Sequence, residues 1–163
     1  MAGSGPSAFI FLITALILSS SVSLLLVDSW GDIAEVYADD RTKAAMDAKT
    51  EISFAGNPMK VSYVLGTDTM VFYLQNTGES TLEITIGGVF VDAVRPNSVS
   101  SAVVGGGDWS SGKLLRITCV DGTWNGVLSD GSEVTLLLVA HSEVSSSGVS
   151  GTDSLSLTVR LDV

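Results

Sequence analysis

One cysteine, one histidine and eight basic side chains are all that 163 residues offer. With Cys119 alone, no intrachain disulfide can form. It lies in Leu114-Leu115-Arg116-Ile117-Thr118-Cys119-Val120, which alternates as a strand does, so a buried structural thiol is expected. An intermolecular disulfide is the alternative. His141 is far from Cys119 in sequence, and neither has the neighbours that a nucleophile and its base require. Eight Lys and Arg against 18 Asp and Glu give a net charge of -10. That argues against nucleic acid as a partner, because phosphate binding needs a clustered basic surface. An acidic surface serves solubility, or meets a basic or cation-bridged partner.

Other sites are missing too. Gly105-Gly106-Gly107 lacks the Lys and Ser/Thr of a phosphate-binding loop. Asp121, Asp130 and Asp153 stand in turns and lack the spacing of a calcium loop. Asn57, Asn76, Asn97 and Asn125 are outside any glycosylation sequon. An anchored hydrolase needs a polar constellation that is absent here. The expectation is therefore no enzyme, no catalytic, cofactor-binding or metal-ligating residue, and no cofactor.

What is present divides at about residue 51. Ala8 to Val27 is an uncharged run of 20 residues. As a helix it rises about 30 Å, the thickness of a bilayer core. A cleaved secretory signal has a basic opening and a shorter apolar core; Met1 to Ser7 holds no Lys or Arg. Nothing else in the chain is helical enough to bury such a helix. A retained membrane anchor in lipid is expected. Ser19, Ser20, Ser21 and Ser23 are expected to bond back to helix carbonyls, or to mark a close helix–helix contact and self-association.

Asp28 to Glu51 has no Pro and one Gly, Gly31, so the helix is expected to continue as a rod. Residues 8 to 51 would then span roughly 65 Å. Trp30, Ile33, Tyr37, Ala44 and Ala48 fall near one face. Asp28, Asp32, Glu35, Asp39, Asp40, Asp47 and Glu51 supply a polar face, interleaved with Arg41, Lys43 and Lys49. Those three cations lie on the C-terminal side, so the positive-inside rule leans toward that side being cytoplasmic. The character of the rest of the chain points the other way.

From Ile52 the texture changes. Gly56-Asn57-Pro58 breaks the helix. Strands are expected at 60–65, 69–74, 82–86, 89–91, 98–104, 114–120, 134–140 and 155–161, with turns between them. This spacing predicts an antiparallel, immunoglobulin-like β-sandwich over 52–163, following the helix of 1–51, in a mainly β chain. Leu136 to Ala140 is continuous and reads as a central strand. Gly105 to Gly112, around Trp109, and Ser142 to Asp153 read as exposed loops. Trp109 either docks a partner or folds back onto the domain.

An apolar helix extended into a rod and topped by a sandwich is the layout of a type IV pilin-like subunit. Ala2-Gly3-Ser4-Gly5-Pro6-Ser7-Ala8-Phe9-Ile10-Phe11-Leu12-Ile13 resembles the mature N-terminus of archaeal flagellins and their accessory proteins. Leu74-Gln75-Asn76-Thr77-Gly78-Glu79-Ser80-Thr81-Leu82, followed by Val89-Phe90-Val91-Asp92, resembles the strand–turn–strand segment of the archaellum proteins FlaG and FlaF. Val27-Asp28-Ser29-Trp30-Gly31-Asp32-Ile33 to Glu51-Ile52 looks more like FlaG. The likeness covers residues 2 to about 92 loosely. Filament subunits of this kind carry a short basic leader, which is absent before Ala2, and that favours an accessory protein. The resemblance implies a stator in the archaeal pseudoperiplasm, with the sandwich bound to the surface-layer protein or to a partner accessory sandwich. A filament-forming pilin or archaellin is the alternative.

Overall fold

The computed structural model describes residues 5–146 and 148–163. The stretch Ala2-Gly3-Ser4 of the resemblance, and Met1 before it, lie outside the described residues. The chain separates into two units, one up to Arg41 and one from Thr42 to Val163.

The first unit is helical. Helix α1 runs from Gly5 to Lys49, so its last turns belong to the second unit. Pro6 falls in its first turn, where a missing N–H costs nothing. No proline follows until Pro58, and Leu, Ala and Ile favour the helix. Of the four serines expected to bond back, Ser20, Ser21 and Ser23 do, Ser20 Oγ donating to Ile17 O at 2.9 Å. Thr14 Oγ1 donates to Ile10 O at 2.8 Å, Ser21 Oγ to Ile17 O at 2.8 Å and Ser23 Oγ to Ser19 O at 2.9 Å. Polar atoms on an apolar helix are thereby satisfied without a partner chain. The helix stops two residues before Glu51, the expected end. Thr50 N donates to Asp47 O at 3.0 Å, tightening the last turn.

The second unit is built of strands: β1 (Ile52–Ala55), β2 (Val61–Val64), β3 (Thr69–Asn76), β4 (Gly88–Val91), β5 (Ser98–Val103), β6 (Leu114–Val120), β7 (Glu133–His141) and β8 (Thr152–Asp162). They form an eight-stranded, mixed, nearly closed sheet in the order β4-β7-β8-β2-β3-β6-β5, with β1 also on β3. Six pairings among the described residues are antiparallel, and β2 with β8 is parallel. The expectation of a purely antiparallel sheet is corrected there: β8 ends beside the start of β2, aligning Val61 with Leu161. β3 lies at the centre. One edge is taken by β6 over most of its length. The other is shared, β2 on the first half and β1 on the second.

Two strand expectations change. Segment 82–86 is no strand. Leu82 N donates to Trp109 O at 3.0 Å and Glu83 N to His141 O at 2.9 Å. Successive backbone groups serve different neighbours, so the segment crosses between strands instead of running along one. Conversely, β1 was unforeseen, because four residues straight after a helix carry too short an alternation to read. β7 does pair on both edges, with β4 and β8.

Alternation fixes which side chains enter the core. Met70, Phe72 and Leu74 of β3, Leu115, Ile117 and Cys119 of β6, Val134, Leu136 and Leu138 of β7, and Val159 and Leu161 of β8 are all buried. Each large aliphatic side chain among them contributes about 1.5–3 kcal/mol by leaving water. Tyr63 packs edge-on to Trp124, with ring centroids 6.4 Å apart.

Ile117→Ala removes a fully buried side chain from the second-unit core. It is expected to cost about 2–5 kcal/mol. The check is a lower urea midpoint at unchanged slope, by near-UV dichroism of the full chain in detergent.

Candidate functional site: the apolar helix and its socket

Two features stand out once the fold is laid down. The first is the helix surface. Every residue from Ser7 to Arg41 is exposed, including Phe11, Leu24, Leu25 and Val27. The helix is long and apolar enough to cross a membrane. Leaving that many large apolar side chains in water opposes the hydrophobic effect, and a bilayer core removes the conflict.

The second is the socket that receives the end of α1, within the unit that starts at Thr42. Only Thr50 and Glu51 separate α1 from β1. The last carbonyls of a helix lack partners inside it. Here the β domain supplies donors to Lys49 O, the last of them, and to Glu51 O just beyond, while Thr50 serves Met46 O and Asp47 O. Glu79 N and Ser80 N donate to Lys49 O, at 2.9 and 3.1 Å. Thr77 N and Gly78 N donate to Glu51 O, also at 2.9 and 3.1 Å. Thr50 Oγ1 donates to Met46 O at 2.8 Å. Side chains add two ties. Thr152 N donates to Asp47 Oδ1 and Ile52 N to Asp153 Oδ2, each at 2.8 Å.

Two glycines let the backbones come this close. Both Gly78 and Gly151 are buried. A Cβ on Gly78 would stand 2.7 Å from Glu51 N and strike Lys49 O. One on Gly151 would strike Met46 O and Thr50 Oγ1. No side chain fits at either position without moving the helix end.

The turn that caps the helix is itself braced from below. Asn76 has no exposed surface. Its Nδ2 donates to Ser80 O at 2.8 Å and to Trp109 O at 2.9 Å, and its Oδ1 accepts from Gly78 N at 3.0 Å. Trp109 is likewise fully buried, and its Nε1 donates to Lys113 O at 3.0 Å. Lys113 O in turn accepts from Asn76 N at 3.1 Å. The sequence thus singled out both the Asn76-Thr77-Gly78 turn and the Trp109 loop, but not that they form one structure. Of the two readings of Trp109, folding back is the one observed. Gly105 to Asp108 remain exposed beside it.

The remaining candidates are scattered. Cys119 is buried on β6, and burial pushes its thiol up to about 12. His141 closes β7, and its Nδ1 lies 3.1 Å from Thr152 Oγ1. Asp121 begins the short 3-10 turn Gly122–Trp124. Its carboxyl is held below the usual value by the Thr123 N–H and hydroxyl, with Asn97 adding a further bond. Asp130 accepts a long bond from Val163 N. Asp153, expected in a turn, lies in β8 and anchors the start of β1. Ser142, expected in an exposed loop, is buried, and its Oγ accepts from Gly151 N at 2.8 Å. Among the described residues no cluster of His, Cys, Asp and Glu has the makings of a metal site.

No protein-family profile, no curated protein and no solved structure matches the chain.

Asn76→Ala strips Ser80 O of its side-chain donor, while Trp109 O keeps Leu82 N and Gly78 N keeps Glu51 O. A loss of about 1–3 kcal/mol is expected, the cost of one stranded group; thermal denaturation of the full chain in detergent measures it. A second prediction concerns pH. Tyr63 is buried and donates to Asp68 Oδ1 at 3.1 Å; burial first, then the Asp68 bond and charge, raise its phenol to about 12. The folded value is raised, so its stabilisation is whole below pH 10 and fades as pH climbs toward about 12. Tyr63→Phe should flatten that limb of the stability–pH curve.

Proposed function

We propose that this chain is a membrane-anchored, non-catalytic structural component of the archaellum machinery, of the FlaG kind. One observation carries the reading: an exposed apolar helix enters a β domain with two residues between them, and the domain caps its end. A soluble binding module has no use for such a helix, and a flexibly tethered enzyme has no use for such a junction. The segment Leu74 to Leu82, which resembles FlaG and FlaF, is the segment that receives the helix. This supports the resemblance, because an anchored family needs that contact.

In this reading α1 spans the lipid once. The β domain, read as an immunoglobulin-like sandwich, stands outside the cytoplasmic membrane beneath the surface layer. It binds the surface-layer protein or a partner accessory sandwich, and gives a rotating filament something fixed to work against. The task is to hold torque, which requires stiffness and attachment and no chemistry. The acidic surface suits a basic or cation-bridged partner.

A second reading, a filament subunit, has its own observation. Trp30, Ile33, Val36 and Tyr37 are exposed past the end of the apolar run. Tyr37 lies ten residues beyond Val27, about 15 Å along the helix. The headgroup layer adds only about 5–8 Å on each side of the hydrocarbon core. Lipid therefore leaves Tyr37 uncovered, and a neighbouring α1 would cover it.

Proteinase added to intact cells is expected to digest the β domain and spare α1 in the membrane fraction. A protected β domain defeats the proposed orientation. Deletion of the chain is expected to stop swimming while filaments still assemble. Recovery of the chain along the length of sheared filaments would instead favour the subunit reading.

A further inference from the structure

The socket has a consequence for how force travels. We infer that the α1–β1 junction is the load path of the molecule, and that the Asn76-braced turn is its seat. The inference deepens the anchored reading above and rests on it. A tether that only keeps a domain near a membrane needs a loose linker, rich in Gly, Ser or Pro. This chain places Thr50 and Glu51 there, and both are engaged: Thr50 is 3% exposed and bonded to the last turn, and the Glu51 carbonyl is held by the capping turn.

The attachment draws on two separate parts of the domain. The turn at Thr77 to Ser80 holds the backbone of Lys49 and Glu51. Thr152, at the start of β8, holds the Asp47 side chain, and Asp153 beside it holds Ile52 N. Gly78 and Gly151 press the two backbones together. A pull on one contact is shared by the others, so they yield together and not in sequence. The turn does not bend away under load, because Asn76 ties it to Trp109 O in the interior. Buried polar networks of this kind are stiff when all members are satisfied. No buried side-chain polar atom among the described residues is left unpaired.

Hydrogen exchange on the full chain in lipid vesicles tests this. In the native chain the amides of Glu79, Ser80, Ile52 and Thr152 are expected to be protected like those of β3 and β6. Loop-like exchange at those four amides overturns the inference at once. Gly151→Val should release the helix end and speed exchange at Glu79, Ser80 and Thr152 by about 100-fold, a local opening that leaves β3 and β6 protected. Asp47→Ala, which alters only the helix side of the contact, guards against general unfolding; it should speed Thr152 alone. Unchanged protection in both variants overturns the inference.

Swimming provides the functional arm. A variant whose junction is open by exchange, yet which reaches the membrane in normal amount, is expected not to swim. Normal swimming with an open junction overturns the load path. Normal swimming after deletion of the whole chain overturns the archaellum reading instead, so the two failures are told apart.

Discussion

The carbonyls that end an α-helix need partners from elsewhere. In most helices water or a local turn serves. Here Thr50, just past α1, is buried against the domain, and N–H groups of the domain serve the carbonyls on either side of it. The turn after β3 turns four consecutive N–H groups, Thr77 to Ser80, toward two carbonyls of the junction. β8 begins with a residue whose N–H meets Asp47. Two positions in contact with the helix are glycine because a Cβ there has no room.

That arrangement explains an otherwise odd choice of core residues. A buried asparagine is costly unless each of its polar atoms is bonded. Asn76 meets the condition by bridging the capping turn and the Trp109 backbone. Trp109 is large enough to fill the space under the turn, and its one donor finds Lys113 O. A hydrophobic residue at 76 would pack as well but would leave Gly78 N, Ser80 O and Trp109 O without this partner. The polar network thus sets where the turn sits, while the aliphatic layers of β3, β6 and β7 supply most of the stability.

Some of this was legible in the residues. Ala8 to Val27 announced an apolar helix by length alone, and Ser20, Ser21 and Ser23 bond back to the helix. Most strands were readable because a sheet with one buried face imposes a period of two. Cys119 read as structural and is buried. The failures have a common source. Leu82 to Ile86 alternates like a strand, but its backbone bonds go to the Trp109 loop and to the end of β7, and Ile84 is exposed. β1 is too short to alternate visibly. Trp109 was open to docking as well as to packing, because a Gly-rich setting is compatible with both.

The amino-acid sequence by itself determined the two-part character of the protein, the absence of an intrachain disulfide, the acidic surface and the strand periodicity. These follow from local properties: run length, counts and alternation. Only the tertiary structure decided that β2 and β8 run parallel, that Trp109 is core, and that Asn76, Gly78, Gly151 and Asp47 belong to one junction. Those residues are separated by up to about a hundred positions, and what joins them is bonding to backbone N–H and C=O groups, whose places in the fold the sequence does not mark. A glycine that admits a helix end reads, in sequence, the same as a glycine that turns a loop.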